Sequence, residues 1–206
     1  MTRNKEYASP VSRRSVLTAG GAALAVVLGL SGCAQEDALA QQARAGDNKN
    51  YVAGDGSVTE FVVADRKSPI AIRGTLFDGT AVTAEAFQGQ VTVLNFWFAA
   101  CAPCRVEAPS LEALHQEFKS QGVQFFGVNL RDEKATAEAF DKTFNLTYPS
   151  FNDKDGAVLL AVSGLVPPGA VPTTLVLDKQ GRVASRVLGE IQKGTLKSLI
   201  AAAVAE

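Results

Sequence analysis

A single histidine stands in 206 residues. That excludes a His-rich metal site and argues against a Ser-His-Asp hydrolase. Three cysteines are too few for a disulfide scaffold. Charge of neither sign dominates: 20 Lys and Arg meet 21 Asp and Glu, for a net charge of -1. A nucleic-acid binder held by electrostatics would carry a basic stripe instead. The apolar run Ala19–Leu30 is 12 residues long, too short to cross ~30 Å of hydrocarbon at 1.5 Å per residue. What the chain does have is apolar bulk. Hydrophobic residues make up 47%, with 11 Phe, so a full core is expected and wholesale disorder is excluded. With so little other polar equipment, cysteine is the residue left to carry chemistry.

The N-terminus reads as a separate object. Arg3, Lys5, Arg13 and Arg14 precede the apolar stretch, opposed only by Glu6. A positive start, a short apolar middle and a small-residue end define a secretory signal. Ser12-Arg13-Arg14-Ser15-Val16-Leu17 resembles a twin-arginine export signal, with Val16 where Phe is usual. An ordinary secretion signal remains open. Leu30-Ser31-Gly32-Cys33 resembles the lipobox of bacterial lipoproteins, in which the Cys becomes the acylated mature N-terminus. Residues 1–32 are therefore expected to be a signal peptide and Cys33 the lipidation site. Residues 33–57 are polar and small, and read as a flexible linker. The folded domain is expected over 58–206.

Within that domain, Asp78-Gly79 marks a hairpin turn between Ile70–Phe77 and Ala81–Val82. Val91–Phe98 is apolar except for Thr92 and Asn95, and reads as a buried central strand. Pro103–Ser120 places Val106, Leu111, Leu114 and Phe118 at helical spacing. Val123–Leu130 is a second buried strand. Glu133–Phe144 is helical, and Gly156–Val162 is a short helix. Thr173–Leu177 and Val183–Leu188 are strands around the turn Asp178-Lys179-Gln180-Gly181. Thr195–Val204 closes the chain as a helix. Strands alternating with helices, then a hairpin, predict an α/β fold with a mixed central sheet flanked by helices.

The chemistry falls at one strand-to-helix junction, Trp97-Phe98-Ala99-Ala100-Cys101-Ala102-Pro103-Cys104. Two Cys at this spacing in a first helical turn can close a small disulfide ring. Cys101 lies where unpaired N–H groups and the positive end of the helix dipole favour a thiolate, the nucleophile of disulfide exchange. It is expected to be exposed. Cys104, one turn in, is expected to be buried and to act as the resolving thiol. Pro103 needs no N–H near the helix start. A zinc site would need four ligands, and His115 lies ~16 Å along the helix from Cys104. Haem attachment would need His where Arg105 stands. A purely structural disulfide would close a very short loop and add little stability. Asp153-Lys154-Asp155-Gly156 resembles part of a calcium loop, but Phe151 and Val162 occupy the end-ligand positions. No metal and no dissociable cofactor are expected, and His115 reads as a surface residue.

Asn95-Phe96-Trp97 followed by Cys101-Ala102-Pro103-Cys104-Arg105-Val106-Glu107-Ala108-Pro109 resembles the active-site signature of the membrane-tethered TlpA/ResA-type thiol–disulfide oxidoreductases of the thioredoxin superfamily. Val171-Pro172-Thr173-Thr174 before an apolar strand is a second match. The resemblance covers roughly Ser68 to the C-terminus. It implies a thioredoxin-like fold with an N-terminal hairpin extension and a helical insert over about Asp132–Pro168. It implies a redox disulfide between Cys101 and Cys104 and a cis peptide at Pro172 facing it. Substrate would lie against Trp97, Ala102, Pro103, Val171 and Pro172. Glu107, three residues after Cys104 and on the same helix face, would take the Cys104 proton. A solvated Glu paired with a nearby Arg is the competing reading.

These expectations describe an enzyme on the outer face of the cytoplasmic membrane that exchanges disulfides with protein thiol or disulfide substrates. A membrane electron donor or acceptor would serve the Cys pair, and no nucleic acid is involved. The resemblance favours a reductase, for example of cytochrome c precursors. A disulfide-forming oxidase is the alternative in direction. A peroxiredoxin-like peroxidase and a non-enzymatic binding lipoprotein are alternatives in class.

Overall fold

The computed structural model describes residues 54–167 and 169–206. The signal region, Cys33 and most of the stretch read as linker lie outside the described residues.

Six strands form one mixed sheet in the order β1-β8-β7-β4-β5-β6. These are β1 (Ser57–Glu60), β4 (Thr92–Trp97), β5 (Gln124–Asn129), β6 (Ser150–Asn152), β7 (Thr173–Leu177) and β8 (Val183–Leu188). β4, β5 and β6 run parallel, while β7, β8 and β1 add antiparallel ladders. A separate hairpin, β2 (Arg73–Thr75) with β3 (Ala81–Thr83), turns at Asp78-Gly79 as expected. Gly79 adopts φ 93°, a conformation that glycine takes without a Cβ clash.

Both faces of the sheet are covered, which explains why β4 reads as a nearly continuous apolar run. Val93 packs with Leu111, Leu114 and Phe118 of α1 (Ala102–Phe118) and Leu196 and Ile200 of α4 (Lys193–Ala205). Leu94 and Phe96 point the other way, to Ile72, Phe87, Phe151 and Val158. Each such side chain, fully buried, contributes ~1.5–3 kcal/mol. α2 (Lys134–Phe144) and α3 (Ala157–Ala161), with β6, make up the insert.

Three local expectations are corrected. Val106 is 61% exposed, because it projects away from the face that carries Cys104, Ala108 and Leu111. His115 is half-buried, with its ring 5.3 Å from that of Phe125 and 5.6 Å from that of Tyr148. Ser57 belongs to β1 and pairs with Leu188, so the ladder starts one residue inside the stretch read as linker.

Candidate active site

β4 ends at Trp97, and Cys101 is the N-cap residue of α1. The Cys101 Sγ accepts the N–H of Cys104 at 3.3 Å. Cys101 and Cys104 form a disulfide with an S–S distance of 2.09 Å and Cα atoms 5.3 Å apart. Pro103 occupies the first helical turn, where its missing N–H costs nothing. The expected exposure of Cys101 is corrected: it is 0% exposed and Cys104 2%. Both sulfurs belong to an apolar cluster with Trp97, Phe98, Ala108, Phe140 and Val171. Val171-Pro172 is cis, and Val171 brings the start of β7 into the same cluster. Ala102 is exposed and Pro103 half-buried, so the rim of the disulfide reaches solvent there.

Trp97 does not present an open ring to a groove. It is 3% exposed, and Phe140 of α2 lies over it with ring centroids 4.3 Å apart. The insert helix thus covers the ring that was expected to meet substrate. Arg105 follows the same aromatic row, with its guanidinium 5.9 Å from the Phe140 centroid and 5.1 Å from that of Phe144.

Glu107 lies one turn beyond Cys104 and is 2% exposed. Its Oε1 accepts the Asn95 amide at 2.7 Å, and its Oε2 accepts the Ile191 N–H at 2.9 Å. The reading of a solvated Glu paired with Arg is therefore overturned. Burial pushes the carboxyl up to about 8, and the Glu190 charge adds to this, although the Ile191 and Asn95 donors pull the other way. A carboxyl so placed holds a proton near neutrality and exchanges it close to neutral pH.

Sequence reasoning missed the loop that holds this junction. Asp132, between β5 and α2, accepts the N–H of Ala99 at 2.6 Å. Asn129 donates to the same carboxylate oxygen at 2.8 Å and accepts the Asp132 N–H at 2.8 Å. The Asn129-x-x-Asp132 spacing allows such a turn, but nothing local tells that Ala99 is its target. Among the described residues, no group of three or more His, Cys, Asp or Glu side chains is placed to hold a metal.

A Cys pair at the start of the helix after the central strand, with a cis-Pro beside it, defines a thioredoxin-fold thiol–disulfide oxidoreductase. The chain belongs to the AhpC/TSA family, whose model matches residues 65–186. It is similar to the thiol–disulfide oxidoreductase ResA of Geobacillus kaustophilus, at 32% identity over 70% of this chain and 75% of that one. Among solved structures, it is similar to a secreted thiol–disulfide isomerase from Corynebacterium glutamicum, with 32% identity and a TM-score of 0.66, covering 74% of this chain and 95% of that one. A DsbF homologue from Corynebacterium diphtheriae matches at 33% identity and a TM-score of 0.63, over 72% and 94% of the two chains.

Proposed function

We propose that this protein is a lipid-anchored reductase of protein disulfides on the outer face of the cytoplasmic membrane. The observation that carries the reading is the buried Glu107 carboxyl one turn behind a Cys101–Cys104 disulfide. In the reduced enzyme, the Cys101 thiolate attacks one sulfur of a substrate disulfide and expels the other as thiolate. Glu107, in its ionised form, takes the proton of Cys104. The Cys104 thiolate then attacks Cys101 Sγ, releases the second substrate thiolate and leaves the pair oxidised. Two electrons have passed to the substrate, and a membrane electron donor returns them. Ala102 and Pro103 form the rim against which the substrate segment lies, with the buried Val171 and Pro172 behind it. Cysteine pairs such as those of cytochrome c precursors are substrates of this chemistry.

The lipobox at Cys33 and the secreted relative support the location. Direction follows from the reduction potential. A reductase is expected near thioredoxin, at about -270 mV, and an oxidase near DsbA, at about -120 mV. Insulin reduction by dithiothreitol should accelerate with the protein present, and peroxide should not be consumed. A potential close to that of DsbA would reverse the assigned direction. Cys33→Ala should leave the membrane fraction or remain unprocessed. A processed, membrane-bound variant would sink the anchor.

A further inference from the structure

Glu107, Asn95 and Thr174 are all buried, and their hydrogen bonds have to be counted atom by atom. Asn95 Nδ2 donates to Glu107 Oε1 at 2.7 Å and to Thr174 Oγ1 at 3.1 Å. The Ile191 N–H donates to Oε2 at 2.9 Å. Both partners of the carboxyl are therefore donors. That set suits an ionised Glu107 and offers the O–H of a protonated one no acceptor. If Oε1 carries a proton, its O–H needs an acceptor, and neither the Asn95 NH₂ nor the Ile191 N–H is one.

One group in the site is able to answer. A half-turn of the Asn95 amide exchanges Nδ2 for Oδ1, an acceptor with two lone pairs. Thr174 permits this because a hydroxyl both accepts and donates. It accepts from Nδ2 in the first arrangement and donates to Oδ1 in the second. A residue fixed as donor or as acceptor at position 174 would lock the amide one way.

We propose that Asn95 and Thr174 are positioning residues that switch together with the Glu107 proton, the amide turning its oxygen to Glu107 whenever the carboxyl is protonated. The inference rests on the reading that Glu107 carries the Cys104 proton. In the step, the S–H bond of Cys104 breaks, an O–H bond forms at Glu107 Oε1, and Asn95 Oδ1 accepts the new O–H. No electrons move until the thiolate attacks. The other titratable groups near Glu107 are Glu190 ahead of α4 and Tyr148 after α2, joined by Cys104, one turn back on the same helix, once the disulfide is reduced. β4 meets it with the neutral Asn95, which in turn bonds the neutral Thr174 of β7.

The test follows the side chains directly. In the wild-type protein, carbon NMR of the Glu107 carboxyl and nitrogen NMR of the Asn95 amide are recorded across the same pH series. The two should titrate with one midpoint. An Asn95 amide whose shifts stay flat through the Glu107 titration overturns the switch. A second arm uses kinetics. Asn95→Ala should form the mixed disulfide at the wild-type rate but resolve it about 10- to 100-fold more slowly, with a displaced pH profile. Thr174→Ser should keep the wild-type profile, and Thr174→Val should displace it. Resolution by Asn95→Ala with the wild-type profile also overturns the proposal. Glu107→Gln separates the two readings. If it resolves normally, Glu107 carries no proton. If it is slow while Asn95 stays flat, only the switch fails.

Discussion

The Asp132 carboxylate holds the backbone N–H of Ala99, two residues before Cys101, at 2.6 Å. The bond joins the end of one central strand to the loop beyond the next. It fixes the segment from which Cys101 must present its sulfur. Asp132→Ala should therefore lower stability by about 1–3 kcal/mol through the lost charge-assisted bond and slow insulin reduction. Asp132→Asn, which keeps an acceptor oxygen, should recover most of both. Thermal melts of the oxidised forms and turnover rates check this. Equal behaviour of the Ala variant and wild type would remove the clamp from the argument.

The two cysteines should differ once reduced. Cys101 caps the helix, where N–H groups and the dipole stabilise a thiolate. Cys104 is buried beside an acid. At neutral pH, iodoacetamide should modify Cys101 much faster than Cys104, as mapped by mass spectrometry. Cys104→Ser should accumulate mixed disulfides through Cys101, and Cys101→Ser should trap little. Trapping mainly through Cys104 would mean that the nucleophile is misassigned.

Glu107 also sets a pH dependence of stability. Its folded-state carboxyl sits at about 8, far above an ordinary Glu, because of burial. Between about 4.5 and 8 the folded state holds a proton that the unfolded chain has released. Stability from this group is full at low pH and falls as pH rises through that window. Glu107→Gln should flatten the decline when denaturant midpoints are compared from pH 5 to 9. A parallel decline in the variant would falsify the assignment of the effect to Glu107.

Gly127 of β5 faces the closest approach in the site. A Cβ there would stand 2.2 Å from Ser150 Oγ and 2.6 Å from Trp97 Nε1. Gly127→Ala should cost about 1–3 kcal/mol through forced displacement of both. Adding Ser150→Gly should recover part of the loss in urea unfolding. No gain from the second change would show that Trp97 alone sets the limit.

The frame of the site was readable because its signals are local. Val91–Phe98 announces a strand buried on both faces, and the Cys pair with Pro103 marks the helix start. Asp78-Gly79 gives its hairpin for the same reason. What escaped depends on distant partners. The burial of Cys101 needs Val171, and that of Trp97 needs Phe140 from the insert. Glu107 could be placed on the helix face of Cys104, but its burial shows only once Ile191, 84 residues away, is set against it. Ser57–Glu60 carries too little apolar pattern to announce an edge strand, and only its pairing to β8 defines it.

The placement of Trp97 against Phe140, within the cluster that holds both sulfurs, gives the protein an optical readout of its own. The chain has one tryptophan, so its emission comes from a single place. A disulfide beside an excited indole drains its fluorescence, and a dithiol does so less. Brightness should rise as the pair is reduced, with no dye attached and no variant made. The midpoint of that rise in a series of glutathione buffers is the reduction potential of the Cys101–Cys104 couple, read in the native molecule.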